Sequence, residues 1–187
     1  MADQLRELVS AVLAAPARLG GCRLVAIDGP SGSGKTTTAE RLTEVFSADG
    51  IGTGVISTDH FSTWDDPFGW WPRLEAEVLA ELAAGRSAHY RAMDWSEGPP
   101  VPARPTTVTP AAVIILEGVS AARRAVVDRL SLAVWVEHPD RFVRTERAVA
   151  RDGAAIREPL RAWQFAEDAW FTADGTRDRA DRVLISI

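Results

Sequence analysis

Residues 29–36 read Gly29-Pro30-Ser31-Gly32-Ser33-Gly34-Lys35-Thr36, a complete G-x-x-x-x-G-K-[ST] segment. No other feature constrains the fold as strongly, because such a loop works only between the end of a buried strand and the start of a helix. Both flanks agree. Residues 22–27 (CRLVAI) are a short apolar run suited to a buried parallel strand, ended by Asp28 and Gly29. Beyond the loop, Ala39, Leu42, Val45 and Phe46 recur at helical spacing. Backbone N–H groups at that helix N-terminus cradle phosphate, and the helix dipole favours its negative charge. Gly29, Ser31, Gly32, Ser33, Gly34, Lys35, Thr36 and Thr37 are therefore the candidate phosphate contacts, and a nucleoside triphosphate is the expected ligand. Lys35 is the only lysine; the other 20 of the 21 basic residues are arginine. A compact ammonium fits between β- and γ-phosphate oxygens where a planar guanidinium is wider and more rigid. The Thr36 hydroxyl is offered to Mg²⁺.

Alternating strand and helix patterns extend this start into an α/β fold. Apolar runs at 24–27, 54–57, 113–116, 132–136 and 183–187 read as strands. Helical patterns fall at about 36–47, 70–84, 120–128, 139–152 and 158–172. The expectation is a three-layer architecture: a five-stranded parallel sheet with helices on both faces and ligands beyond the strand C-termini. At 187 residues one domain is the simplest reading, with a proline-rich insertion at about 87–110 as a hairpin or flap. Leu5, Leu8, Val9, Val12 and Leu13 predict an amphipathic N-terminal helix packed on the domain, not a signal peptide.

Composition excludes several classes. A net charge of −5 argues against a general nucleic-acid surface, and no apolar run reaches the length of a membrane span. The single cysteine, Cys22, cannot form an intrachain disulfide, which fits a reducing cytoplasm. His60, His89 and His138 lack metal-ligand spacing. With no asparagine and no second lysine, a guanine-reading N-K-x-D motif is impossible.

Other candidates lie at strand ends. Asp59, after the second strand, can accept the proton of an attacking hydroxyl or orient it; its position equally suits a turn or helix cap. Glu117 ends the strand VIILE, where a carboxylate holds Mg²⁺ directly or through water. Arg141, Arg144, Arg147 and Arg151 recur along one helical face and can close over a triphosphate, or pair with Glu146 and Asp152 as a solvated face. Trp64, Phe68, Trp70 and Trp71 cluster after Asp59, with Trp95 in the flap; beside a base they suggest a stacking pocket for a ring-bearing acceptor. Trp135, Trp163 and Trp170 read as core.

Taken in order, these motifs resemble the uridine kinase family of P-loop kinases, within the group that includes pantothenate kinase and phosphoribulokinase. The likeness spans roughly residues 22–187. GPSGSGKTT is similar to the family's phosphate loop, and STDHF to its D-x-F segment, implying Asp59 as catalytic base with Phe61 beside the acceptor. YRAMDW resembles the acceptor-side hairpin, implying acceptor contact by Tyr90, Asp94 and Trp95; Met93 stands where many relatives carry Tyr. ILEG resembles the acidic Mg²⁺ position, implying Glu117 with Thr36. RTERAVARDG resembles the arginine-bearing lid, at about 139–157, implying Arg144, Arg147 or Arg151 near the phosphates, with Arg147 and Arg151 as catalytic candidates beside Lys35. Trp71 is a candidate for the acceptor wall from the aromatic cluster itself, not from the resemblance; the DDPFGWW stretch is more aromatic than the corresponding family segment. The resemblance implies ATP and Mg²⁺ as cofactors, a small-molecule acceptor, and assembly into a homo-oligomer. Open alternatives are a nucleoside monophosphate kinase using Arg73, Arg91 and Arg104, a pantothenate- or sugar-type kinase, and an ATP-binding regulatory module without phosphotransfer.

Overall fold

A computed structural model describes residues 2–96 and 99–186 of the chain. The elements run α1 (Ala2–Ala14), β1 (Arg23–Asp28), α2 (Lys35–Ala48), β2 (Thr53–Ser57), α3 (Trp71–Leu74), a π turn (Glu75–Leu79), α4 (Ala80–Ala83), β3 (Ala88–Asp94), β4 (Val101–Val108), β5 (Val113–Glu117), β6 (Leu130–Glu137), α5 (Arg141–Asp152), α6 (Arg157–Asp174) and β7 (Arg182–Ile185). Five strands form a parallel sheet in the order β2-β5-β1-β6-β7, and β3 pairs antiparallel with β4 as a separate hairpin. This is the expected five-stranded sheet with an inserted hairpin. Glu97 and Gly98 of the expected insertion, and Ile187 of the fifth expected strand, lie outside the described residues.

The central strands are apolar throughout because both sheet faces are covered, and their period of two splits the core. Val25, Ile27, Val113, Ile115, Val134 and Val136 pack with Ala39, Leu42 and Phe46 of α2 and with Leu8, Val9 and Val12 of α1. Leu24, Ala26, Ile114, Leu116 and Ala133 face the other way, against Leu74, Val78, Leu79 and Leu82 of the α3–π–α4 helix and Tyr90 of the hairpin. The amphipathic N-terminal helix thus completes one outer layer.

One expected helix differs. Residues 120–128 do not form an α-helix; a 3₁₀ segment occupies Arg124–Arg129. The buried Asp28 carboxylate captures the Ser120 and Ala122 amides, and Ser120 takes a positive φ of 64°. That turn consumes the donors and the residues from which an α-helix would start.

The strand order reverses around β1, which lies between β5 and β6. A crevice therefore opens beyond the C-terminal ends of β1, β2 and β5.

Candidate active site

The phosphate loop leaves β1 at Asp28 and enters α2 at Lys35. Asp28 is fully buried and accepts from the amides of Gly29 (2.7 Å), Ser120 (2.9 Å) and Ala122 (2.8 Å). Burial pushes its carboxyl up to about 6, against the pull of those amides and of Lys35. Gly34 caps α2 in the left-handed region, φ 96°, and offers no side chain to its first-turn amides. Lys35 is 8% exposed and its Nζ donates to the Pro30 carbonyl at 3.0 Å, so the ammonium lies along the loop. Gly32 lies against the carbonyl of Arg144; a Cβ there would come within 2.1 Å of that oxygen, at a φ of 74°.

Two further carboxylate-bearing positions follow from strand ends. Glu117 closes β5 and is 5% exposed. It accepts from the Thr36 hydroxyl at 3.1 Å. Burial first, then the nearby Asp59 carboxylate, push Glu117 up; the Ser57 and Thr36 hydroxyls and Lys35 pull it down. Asp59 sits in the 3₁₀ turn Thr58–His60 directly after β2, with its side chain exposed to the crevice. Its backbone carbonyl accepts from Trp95 Nε1 at 2.7 Å, which ties the base of the hairpin to the end of β2.

These groups line one cleft of about 290 Å³ with Ser31, Gly32, Lys35, Thr36, Trp64, Trp95, Arg151, Asp152, Leu160 and Trp163 among its walls. Of the residues singled out from sequence, Ser31, Gly32, Lys35, Thr36, Asp59, Trp95, Glu117 and Arg151 meet there. Trp64, Trp95 and Trp163 form a three-sided corner, with ring centroids 5.1, 5.7 and 6.3 Å apart and planes at 83°, 88° and 87°. Trp163 is buried, as a core residue would be, yet it faces the cleft; helical spacing alone cannot separate the two. Trp170 stacks on Phe68 at 4.7 Å, and Trp135 meets Phe171 edge-on.

Several expected positions lie elsewhere. Phe61 and Tyr90 stack on each other at 4.9 Å and are buried, with Tyr90 hydrogen-bonded to His60 at 2.9 Å. Burial pushes the Tyr90 phenol up to about 12. They join the hairpin to the end of β2 and are not part of the cleft wall. Trp71 is half-buried against the core cluster that holds Trp70 and Leu74 and does not line the cleft. Asp94 is exposed and bonded to the Ser96 amide and hydroxyl. The arginines of α5 fan out instead of converging. Arg141 pairs with Asp168, Arg144 reaches the Ser31 carbonyl behind the loop, Arg147 touches Ser186 and only Arg151 reaches the cleft, where it grips Asp152. Each three-residue step on a helix falls about 60° short of a full turn, so Arg147 lies about 120° round α5 from Arg141 and the side chains meet different neighbours. Gly29, Ser33, Gly34 and Thr37 belong to the loop and first turn without lining the cleft themselves. Arg73 and Arg91 are on the hairpin's other side, where Arg73 bonds the Arg91 carbonyl; the side chain of Arg104 lies outside the described residues.

Among the described residues no three of His, Cys, Asp and Glu gather as a metal cluster. The Thr36–Glu117 pair offers one hydroxyl and one carboxylate. That donor set suits an Mg²⁺ whose other ligands are phosphate oxygens and water. The left-handed loop, buried ammonium and open helix N-terminus fit a triphosphate equally well. Among the described residues no helix is long and apolar enough to cross a membrane.

No protein-family model matches the chain, and no curated protein matches it. Solved structures do. A protein described as a possible uridine kinase from Bacillus stearothermophilus aligns at 20% identity over 97% of both chains, TM-score 0.69. A Silicibacter sp. TM1040 protein provisionally named a fructose transport system kinase aligns at 19% identity over 96% of this chain and 98% of its own, TM-score 0.71. D-glycerate 3-kinase from Cryptococcus neoformans aligns at 11% identity over 97% and 95%, TM-score 0.66. The shared property is the fold.

Proposed function

We propose, on the premise that the chain has the fold of the uridine kinase-like P-loop kinases, that it transfers a phosphoryl group from ATP to a hydroxyl of a small-molecule acceptor. The observation that carries this reading is the meeting of the phosphate loop, the Thr36–Glu117 pair and Asp59 in one cleft. When bound, Mg-ATP supplies an electrophilic γ-phosphorus and a leaving group neutralised by the metal. Lys35 and the α2 amides hold the β- and γ-phosphate oxygens, while Thr36 and Glu117 hold the metal. Asp59 accepts the acceptor's hydroxyl proton and aims its oxygen into the loop end of the cleft. Arg151 leaves Asp152 to neutralise charge developing on the phosphoryl oxygens. Trp64, Trp95 and Trp163 enclose the acceptor and exclude water, which would otherwise compete for the phosphoryl group. In this reading one kinase domain carries residues 87–110 as a flap and 139–157 as a lid.

Support for a ring-bearing acceptor comes from the tryptophan corner. Arg73 and Arg91 are placed away from the cleft, which disfavours an acceptor that itself carries phosphate. The test is ADP release from Mg-ATP against uridine, cytidine, other nucleosides, nucleoside monophosphates, pantothenate and sugars. One acceptor should stimulate release, and Asp59→Asn should remove roughly 10²–10⁴-fold of that rate while leaving Mg-ATP affinity nearly unchanged. Tight Mg-ATP binding with no stimulation by any acceptor would replace this reading with a regulatory nucleotide-binding module.

A further inference from the structure

We infer that Glu167 and Arg144 are a positioning pair that holds the phosphate loop in its binding shape from behind, acting on Ser31 and not on phosphate. Its functional meaning rests on the Mg-ATP reading above. Glu167 lies on α6, is 0% exposed and is not part of the cleft wall. Its carboxylate accepts from the Ser31 amide (3.0 and 3.2 Å) and from the Ser31 hydroxyl (2.8 Å). Arg144, on α5 and also buried, donates to the Ser31 carbonyl at 3.2 Å and lies 3.6 Å from Glu167. Every polar group of Ser31 is thus taken by one helix or the other. The next residue, Gly32, has the Arg144 carbonyl against it, where no side chain fits. Thr145 and Gln164 join the same two helices beside the pair, with Gln164 Nε2 donating to the Thr145 hydroxyl at 3.0 Å.

The physical reason for such a brace is the loop itself. Gly32 and Gly34 both hold positive φ, and glycine loses more backbone entropy on ordering than any other residue. A loop ordered before the nucleotide arrives does not charge that entropy to binding. An isolated buried glutamate would be unstable beside apolar helices; here burial pushes Glu167 up, but Lys35, the Ser31 hydroxyl and amide, and Arg144 oppose that push. The carboxylate is therefore tied electrostatically to the loop it shapes.

Two measurements test this: hydrogen–deuterium exchange of the ligand-free protein over residues 28–36, and the affinity for Mg-ATP without acceptor. Glu167→Gln keeps the size but turns an amide donor toward Ser31. Loop exchange is expected to accelerate about tenfold, with residues 113–117 of β5 unchanged, and Mg-ATP is expected to bind about tenfold more weakly, the scale of losing charge-assisted bonds. Unchanged loop exchange overturns the brace. Faster exchange with unchanged affinity overturns its positioning role. Should Glu167→Gln also loosen β5, Arg144→Lys and Ser31→Ala decide on the same two criteria, since each weakens one side of the clamp. Wild-type protein that binds no Mg-ATP would sink the kinase reading, and loop exchange would then decide the brace alone.

Discussion

Asp28 shows how one residue can be needed for geometry and yet be electrostatically uncomfortable. It begins the phosphate loop and shapes the turn after β5 through three amides, but its burial raises its pKa from 3.8 to about 6. The folded state therefore holds this proton more tightly than the unfolded chain does. The contribution to stability falls as pH rises from about 4 through 6 and is level above, a loss of roughly 3 kcal/mol. Asp28→Asn cannot titrate, so the stability of wild type minus that of the variant, from urea unfolding, should fall by about that amount between pH 4 and 7. A flat difference would mean the carboxyl is not raised. The importance of this residue was only half legible: its place at a strand end was visible, whereas capture of amides 92 and 94 residues away has no local signature.

At the scale of elements, Arg123 organises the loop between β2 and α3. Its guanidinium lies over Trp70 at 4.2 Å, Trp170 at 4.8 Å and Trp71 at 5.4 Å, and donates to the Phe68 carbonyl and the Ser120 hydroxyl. Burial lowers its pKa to about 10. Trp70 and Trp71 thus serve as packing for a cation, while Trp64, a few residues earlier, faces the cleft. Arg123→Met keeps the apolar stem but loses charge-assisted bonds and cation–π contact, about 2–4 kcal/mol together. Thermal melting should drop by roughly 5–15 °C for a domain of this size. A melting point within 2 °C of wild type, roughly, would show that the aromatic cluster packs without its cation. Elements themselves were well marked in the sequence: all five strands of the sheet, α1, α2, α5 and α6 fall where periodicity placed them, because each has one face or two to bury, and the hairpin falls within the proline-rich insertion. The helix expected at 120–128 failed because amide capture by Asp28 overrode local pattern.

Over the whole molecule, the cleft joins parts distant in sequence: the loop end of β1, the end of β2, the end of β5, the hairpin and both helices after β6. Trp64, Trp95 and Trp163 come from three of these parts. If they enclose the acceptor, Trp64→Ala should raise the acceptor KM about tenfold, the scale of losing a stacked aromatic face, with Mg-ATP affinity within about twofold. A lowered melting point with an unchanged KM would make the corner a packing feature only. By itself the sequence determined the phosphate loop, the parallel α/β sheet around it and the acids at its strand ends, since these depend on short-range pattern and on residue types whose chemistry leaves few alternatives. Only the tertiary structure decided which arginine reaches the cleft, which tryptophans face it and why position 32 is glycine. Those properties depend on helix phase and on the approach of backbone from another element. A rotation of one residue, 100° on a helix, moves a side chain from the cleft to its back, and local sequence carries no record of that angle.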